Sequence, residues 1–166
     1  MSEFQIVKAE TDEQLQEIDE TAKTIWNEHF VPIIGQAQVD YMLKKFQCFD
    51  ALKEQLAEGY EYYQIRPDGE MAGYMGIHQE DADTMFLSKL YVRADHRGEH
   101  LATKAFDFLK GLSRERGCKK IYLTCNKYNK NTLAVYDHFG FEKTDEQDNP
   151  IGDGFVMEDY IMTYYL

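Results

Sequence analysis

Long apolar runs are missing from this chain: no stretch approaches the ~20 residues that a helix needs to cross a bilayer. Its start, MSEFQIVKAE, lacks the basic-then-apolar order of a secretory signal. Together these set the expectation of a soluble cytoplasmic protein. Cysteine is scarce, and Cys48, Cys118 and Cys125 make an odd number with no closely spaced pair, which argues against a disulfide framework and a zinc knuckle and for buried free thiols. Positive charge is in deficit, 18 Lys and Arg against 30 Asp and Glu, a net of −12. Phosphate backbones are gripped by clustered Lys and Arg, so a nucleic-acid partner is not expected. Repeats, low-complexity segments and linkers are absent as well. Neither Gly-x-x-x-x-Gly-Lys nor Gly-x-Gly-x-x-Gly occurs, which disfavours the common nucleotide-binding folds.

What is present is enough apolar material, 43% of 166 residues, for one ordinary core, so a single domain over residues 1–166 is expected. The charge is also segregated. Between Thr84 and Lys143 there are 12 Lys or Arg against 6 Asp or Glu, a net of +6, and the remainder carries −18. For any single residue a solvating surface explains this, but the segregation as a whole suggests two ligands of opposite sign.

The periodicity predicts a strand at FQIV, then a helix carrying Leu15, Ile18, Ala22 and Ile25, opened by a Thr11–Gln14 capping box. VPIIG interrupts it. Val39, Met42, Leu43 and Phe46 mark a second helix, and a third runs from about Asp50 to Gly59. YEYYQI and MAGYMGI flank the turn PDG as a hairpin. MFLSKLYV is a mostly apolar strand, and Leu101, Ala105, Phe108, Leu109 and Leu112 give a helix ending at Gly117 before the strand KIYLTC. Strand, helix and strand in that order read as a crossover joining parallel neighbours. NTLAVYDHF is a short helix closed by Gly140, and two further strands, FEKTDE and FVMEDYIMTYYL, are separated by the loop QDNPIGDG. The expected fold is a mixed α/β (α+β) sheet of about seven strands, mostly antiparallel with a central parallel pair, and four to five helices on its faces.

The turn DHRGEHLA, between the long apolar strand and its helix, can hold an anion. The first backbone N–H groups of a helix have no partners within it, and the dipole adds positive charge there. Arg97 contributes charge, Gly98 permits close approach, and Thr103 brings a hydroxyl. Arg97, Gly98, Glu99, His100, Leu101 and Ala102 resemble the pyrophosphate loop, commonly Arg-Gly-x-Gly-x-Gly or Ala, of the GNAT superfamily of acetyl-CoA-dependent N-acetyltransferases, with His100 in place of the second glycine. A second signature of that superfamily, an Asn, seven residues to a Tyr and four more to Gly-Phe, is similar to Asn129, Tyr136, Gly140 and Phe141.

The resemblance implies acetyl transfer from acetyl-CoA to an amine in a ternary complex, with no acyl-enzyme and no metal. It implies that backbone groups of Leu90, Tyr91 and Val92 hold the pantetheine arm, that Asn129 fixes the cofactor, and that Tyr136 protonates the departing thiolate. For the general base, Glu28, Glu80, His29 and His78 stay open, as does a water relay; His138 reads as a surface residue. The acceptor, a small cationic amine such as a polyamine or a protein lysine or N-terminus, is expected near Trp26, Glu28, Phe30, Asp40, Tyr41 and Asp153, unless those aromatics are core. A second copy of the chain is among the expected partners, whereas a membrane is not. The alternative reading is a non-catalytic CoA-binding regulatory module of the same fold.

Overall fold

A computed structural model describes residues 4–96 and 100–166. Its strands are β1 (Gln5–Lys8), β2 (Glu61–Arg66), β3 (Gly73–Gln79), β4 (Thr84–Val92), β5 (Lys120–Asn126), β6 (Glu142–Gly152) and β7 (Phe155–Tyr165). They form one sheet in the order β1-β2-β3-β4-β5-β7-β6. β4 and β5 run parallel, while β1–β2, β2–β3, β5–β7 and β6–β7 are antiparallel. The helices are α1 (Asp12–His29), α2 (Val31–Ile34), α3 (Gln36–Met42), α4 (Phe49–Ala57), α5 (Leu101–Glu115) and α6 (Lys130–Phe139), with a π-helical turn at Leu43–Gln47 and a 3-10 turn at Ala94–His96. This is the mixed, mostly antiparallel sheet with a parallel pair that the sequence implies. None of the described helices is long and apolar enough to cross a membrane.

Two details depart from expectation. VPII, read as an interruption, closes one turn of helix, because Pro32 sits in the first turn where its missing N–H costs nothing. The stretch QDNPIGDG, read as a loop, is mostly strand: β6 runs on through Pro150 to Gly152. As the last strand of the sheet, β6 tolerates a proline that a central strand would not, and the register shifts between Pro150 and Gly152. The reversal needs only Asp153 and Gly154, with φ of 52° and 79°, the left-handed pair that suits a tight hairpin.

By internal packing the chain divides into two compact units. The first holds the described residues up to His78 and Lys89–Phe108, and its helix α1 buries Leu15, Ile18, Ala22, Ile25 and Trp26 along one face. Each large side chain so buried is worth roughly 1.5–3 kcal/mol. The Thr11–Gln14 capping box is present, with Gln14 N donating to Thr11 Oγ1 at 3.2 Å and Thr11 N to Gln14 Oε1 at 3.0 Å. Asp19 Oδ2 accepts from Phe49 N at 2.7 Å and so caps α4 from α1. Gly76 is required by packing, since a Cβ there would meet the Tyr62 ring at 2.8 Å.

The second unit holds Gln79–Ser88 and Leu109–Leu166. Within it, Thr84–Phe86 pair in parallel with Lys120–Tyr122, and Phe86 stacks on Tyr122 at 4.7 Å. Alternation along β5 sends Ile121, Leu123 and Cys125 to one face. There they meet their cross-strand partners Tyr164, Met162 and Tyr160 of β7. α6 reaches this face through Tyr136, whose ring lies 5.4 Å from Phe141, just past the helix, which in turn lies 5.6 Å from Tyr164 of β7.

Candidate active site

In the first unit the end of β4 is braced from two sides. The Tyr91 ring packs edge-on against Trp26 at 5.5 Å and Phe30 at 5.7 Å, and lies 5.5 Å from Tyr74. On the side of β3, Arg93 N donates to Ala72 O at 2.7 Å, and a Cβ on Gly73 would lie 2.2 Å from Tyr91 O, so only glycine lets β3 come this close. Main-chain groups alternate along a strand, so those of Leu90 and Val92 turn to the edge away from β3. Beyond β4, His100 has φ of 58° and its carbonyl accepts the first bond of α5, from Lys104 N at 3.0 Å. His100 thus adopts the left-handed backbone that a glycine takes readily, at a cost that His bears better than most residues. The N–H groups of Leu101, Ala102 and Thr103 head the helix with no acceptor inside it. Arg97, Gly98 and Glu99 lie outside the described residues.

The same unit holds a cavity of about 400 Å³ between α1 and the segment from α3 to the π turn, with Asp19, Lys23, Asp40, Lys44 and Gln47 among its lining residues. Lys23 pairs with Asp19 at 3.0 Å, and Gln36 bridges Asn27 and Asp40 at 2.8 and 2.7 Å. Of the residues expected to grip an acceptor, only Asp40 lines this cavity. Trp26 and Phe30 are core. Trp26 Nε1 donates to Tyr74 OH at 3.2 Å, which donates to Gln47 Oε1 at 2.7 Å. Beside this chain Lys89, 7% exposed, donates to Phe46 O at 3.1 Å, to Gln55 Oε1 at 2.9 Å and to Tyr62 OH. Burial lowers the Lys89 pKa to about 7 and raises that of Tyr62. Nothing in the sequence marks Lys89 as buried, because a lysine inside an apolar strand is ordinarily read as its solvent-facing member.

In the second unit Tyr136 is 7% exposed, and burial, then the neighbouring Cys125, raise its pKa, which keeps the phenol protonated. Asn129 is buried at the start of α6, where its carbonyl accepts from Leu133 N at 3.0 Å and its N–H donates to Asn126 O at 3.0 Å. Burial, then the charge of Asp159, pushes the Cys125 thiol up to about 12. Asp159, 2% exposed, has its own carboxyl pushed up to about 6, mainly by burial and against the pull of Lys127. Sequence reasoning missed Asp159, which sits in the ordinary-looking strand pattern MEDYIM.

The base candidates from sequence scatter. Glu28 is exposed on α1, His29 packs edge-on against Phe30 at 4.7 Å, His78 lies 4.6 Å from the Tyr60 ring, and Glu80 accepts from Tyr122 OH at 2.6 Å. His138 is exposed, as expected. Among the described residues no three His, Cys, Asp or Glu side chains gather as a metal site.

The model of the acetyltransferase (GNAT) family matches residues 16–141. The Escherichia coli (strain K12) protein YjgM, called an uncharacterized N-acetyltransferase, is 30% identical over 124 residues, 68% of this chain and 74% of that one. Among solved structures, the PaiA N-acetyltransferase of Thermoplasma acidophilum in complex with coenzyme A superposes with a TM-score of 0.84 at 16% identity, covering all of both chains. A GNAT family acetyltransferase from Elizabethkingia anophelis with acetyl-CoA bound gives 0.65 at 14% identity, again over all of both chains.

Proposed function

This chain belongs to the acetyltransferase (GNAT) family, and from that premise we propose that residues 1–166 act as one catalytic domain that moves the acetyl group of acetyl-CoA onto a primary amine by direct attack in a ternary complex. The observation that carries this reading is the strand–turn–helix from β4 to α5. Its left-handed His100 leads into the N–H groups of Leu101, Ala102 and Thr103, which have no acceptor within the helix. Those groups, with Arg97, Gly98 and Glu99, bind the pyrophosphate of CoA through main-chain donors and the helix dipole. Leu90 and Val92 hold the pantetheine amides from their outward main-chain groups, while Tyr91 fixes the strand by its ring. Asn129 anchors the cofactor at the start of α6.

Tyr136 then supplies the proton. A phenol kept neutral by burial carries its proton at working pH and donates it to the thiolate of CoA as the C–S bond breaks; the thiolate, whose acid has a pKa of ~8.5, is the weaker base, so the transfer is drawn on by the phenolate taking up the proton that the attacking nitrogen sheds. The acceptor is a small cationic amine such as a polyamine, or a protein lysine or N-terminus. The net charge of −12, and carboxylates such as Asp40 on the cavity wall, support a cation.

A panel of amines with acetyl-CoA, read by release of free CoA thiol, tests the activity. Acetyl-CoA alone should raise the melting temperature, since it binds the native state. A melting curve unmoved by saturating acetyl-CoA sinks the pyrophosphate assignment. A raised melting temperature with no thiol release from any amine leaves a CoA-binding module without chemistry.

A further inference from the structure

Resting on the acetyl-transfer reading above, we propose that Asp159 is the general base that takes a proton from the acceptor ammonium. In the ladders it lies opposite Asn126 of β5 and opposite Gln147 of β6. Directly paired residues project from one face, so two neutral amides flank the carboxyl there. Cys125, one residue back on β5, faces the other way, toward the layer of Tyr164, Phe141 and Tyr136. Asp159 and Tyr136 thus address the carboxyl end of β5 from its two faces, and each interacts electrostatically with Cys125 between them. A direct transfer needs a proton acceptor for the ammonium and a proton donor for the thiolate, and this strand end carries one of each. Glu80 does not share it, because its partner Tyr122 lies four residues earlier on β5, ~13 Å up the strand.

The surroundings tune the carboxyl for this task. The titratable groups of the elements about it include Cys125 and Lys127 of the β5 end, Glu146 and Asp148 of β6, Glu158 and Tyr160 on either side of it on β7 and, beyond Cys125, Tyr136 of α6. Lys127 is itself held by Asp148 at 3.3 Å. Burial outweighs these charges and brings the pKa to about 6, near the pH at which a base works best. A carboxyl only 2% exposed reaches the substrate through one water.

In the step, the ammonium gives one proton through that water to Asp159. The neutral amine attacks the thioester carbon, the C–N bond forms and the C–S bond breaks. The thiolate takes the phenolic proton of Tyr136, and the second proton of the attacking nitrogen returns to Tyr136. Asp159 releases its proton to solvent, so ammonium and acetyl-CoA become amide, CoA thiol and one proton.

The test compares wild type, Asp159→Asn and Asp159→Glu, using the amine among spermidine, putrescine and lysine that wild type acetylates fastest. Wild-type kcat/KM should rise to a plateau above about pH 6. In Asp159→Asn it should be ~100 to 10,000-fold lower at neutral pH and climb about tenfold per pH unit without that plateau, because only amine already neutral in solution can react. Asp159→Glu should recover part of the loss and keep a low-pH limb. The rise in melting temperature with acetyl-CoA, unchanged in all three, shows that the site is folded. An Asp159→Asn enzyme that retains both the rate and the limb overturns the assignment. Failure of wild type itself to release thiol with any amine overturns the acetyl-transfer reading instead, and this role with it.

Discussion

Tyr136 carries the sharpest residue-scale expectation. The work proposed for its hydroxyl is done as the thiolate leaves, while its ring packs against Phe139 and Phe141 whether or not the hydroxyl is present. Tyr136→Phe should therefore lower kcat and kcat/KM together, within the ~100 to 10,000-fold span of acid–base groups. Affinity for acetyl-CoA should stay near wild type. An unchanged kcat at saturating amine, with chemistry shown to limit the rate, would reduce Tyr136 to packing. Tyr136 stands out in the sequence because its distance from Asn129 and Gly140 resembles a family signature. Asp159 does not stand out, since its burial depends on β5, a strand far back in the sequence, pairing beside β7. His100 illustrates a third case: the sequence shows a departure from glycine, and only the backbone shows that the glycine-like conformation is kept.

At the scale of elements, the π turn and α4 are held to the sheet by buried polar groups. Phe46 O accepts from both Gln55 Nε2 at 3.0 Å and Lys89 Nζ at 3.1 Å. Lys89→Met keeps the apolar stem and removes the ammonium, so it should cost ~1–3 kcal/mol in unfolding free energy. The pH dependence has a definite sign. The folded pKa of about 7 lies below the ordinary lysine value of 10.5, so between those limits the unfolded chain binds the extra proton. The folded state therefore gains stability from Lys89 as pH rises through that window, by at most ~1.4 kcal/mol per pH unit. Denaturant melts of wild type and Lys89→Met should diverge from pH 7 toward pH 10. Parallel curves would mean that the lysine is not buried as a proton-losing group. Elements themselves were readable wherever one period dominated, as in α1 with its capping box. The π turn was not, because it depends on where Lys89 and Gln55 meet it. Nor was the run of β6 through Pro150, which depends on the strand lying at the sheet edge.

For the molecule as a whole, the uneven charge makes ionic strength a probe of what binds. The segment Thr84–Lys143 carries +6 and the rest −18, so a cationic acceptor approaching this chain meets an attractive field, while CoA meets a basic segment within a repulsive one. Raising salt from about 0.01 M to about 0.1 M shortens the Debye length from ~30 Å to ~10 Å, which screens the long-range part and spares close pairs. If steering helps the acceptor, kcat/KM for spermidine should fall several-fold over that range, and kcat should not move. A monoamine of similar apolar length should lose less, because the attraction scales with ligand charge. For acetyl-CoA the two fields oppose, so its apparent affinity should vary less than the triamine's. Steady-state kinetics at fixed pH with sodium chloride as the variable measures all three. Identical salt slopes for triamine and monoamine would show that the acidic surface serves solubility and takes no part in choosing the acceptor.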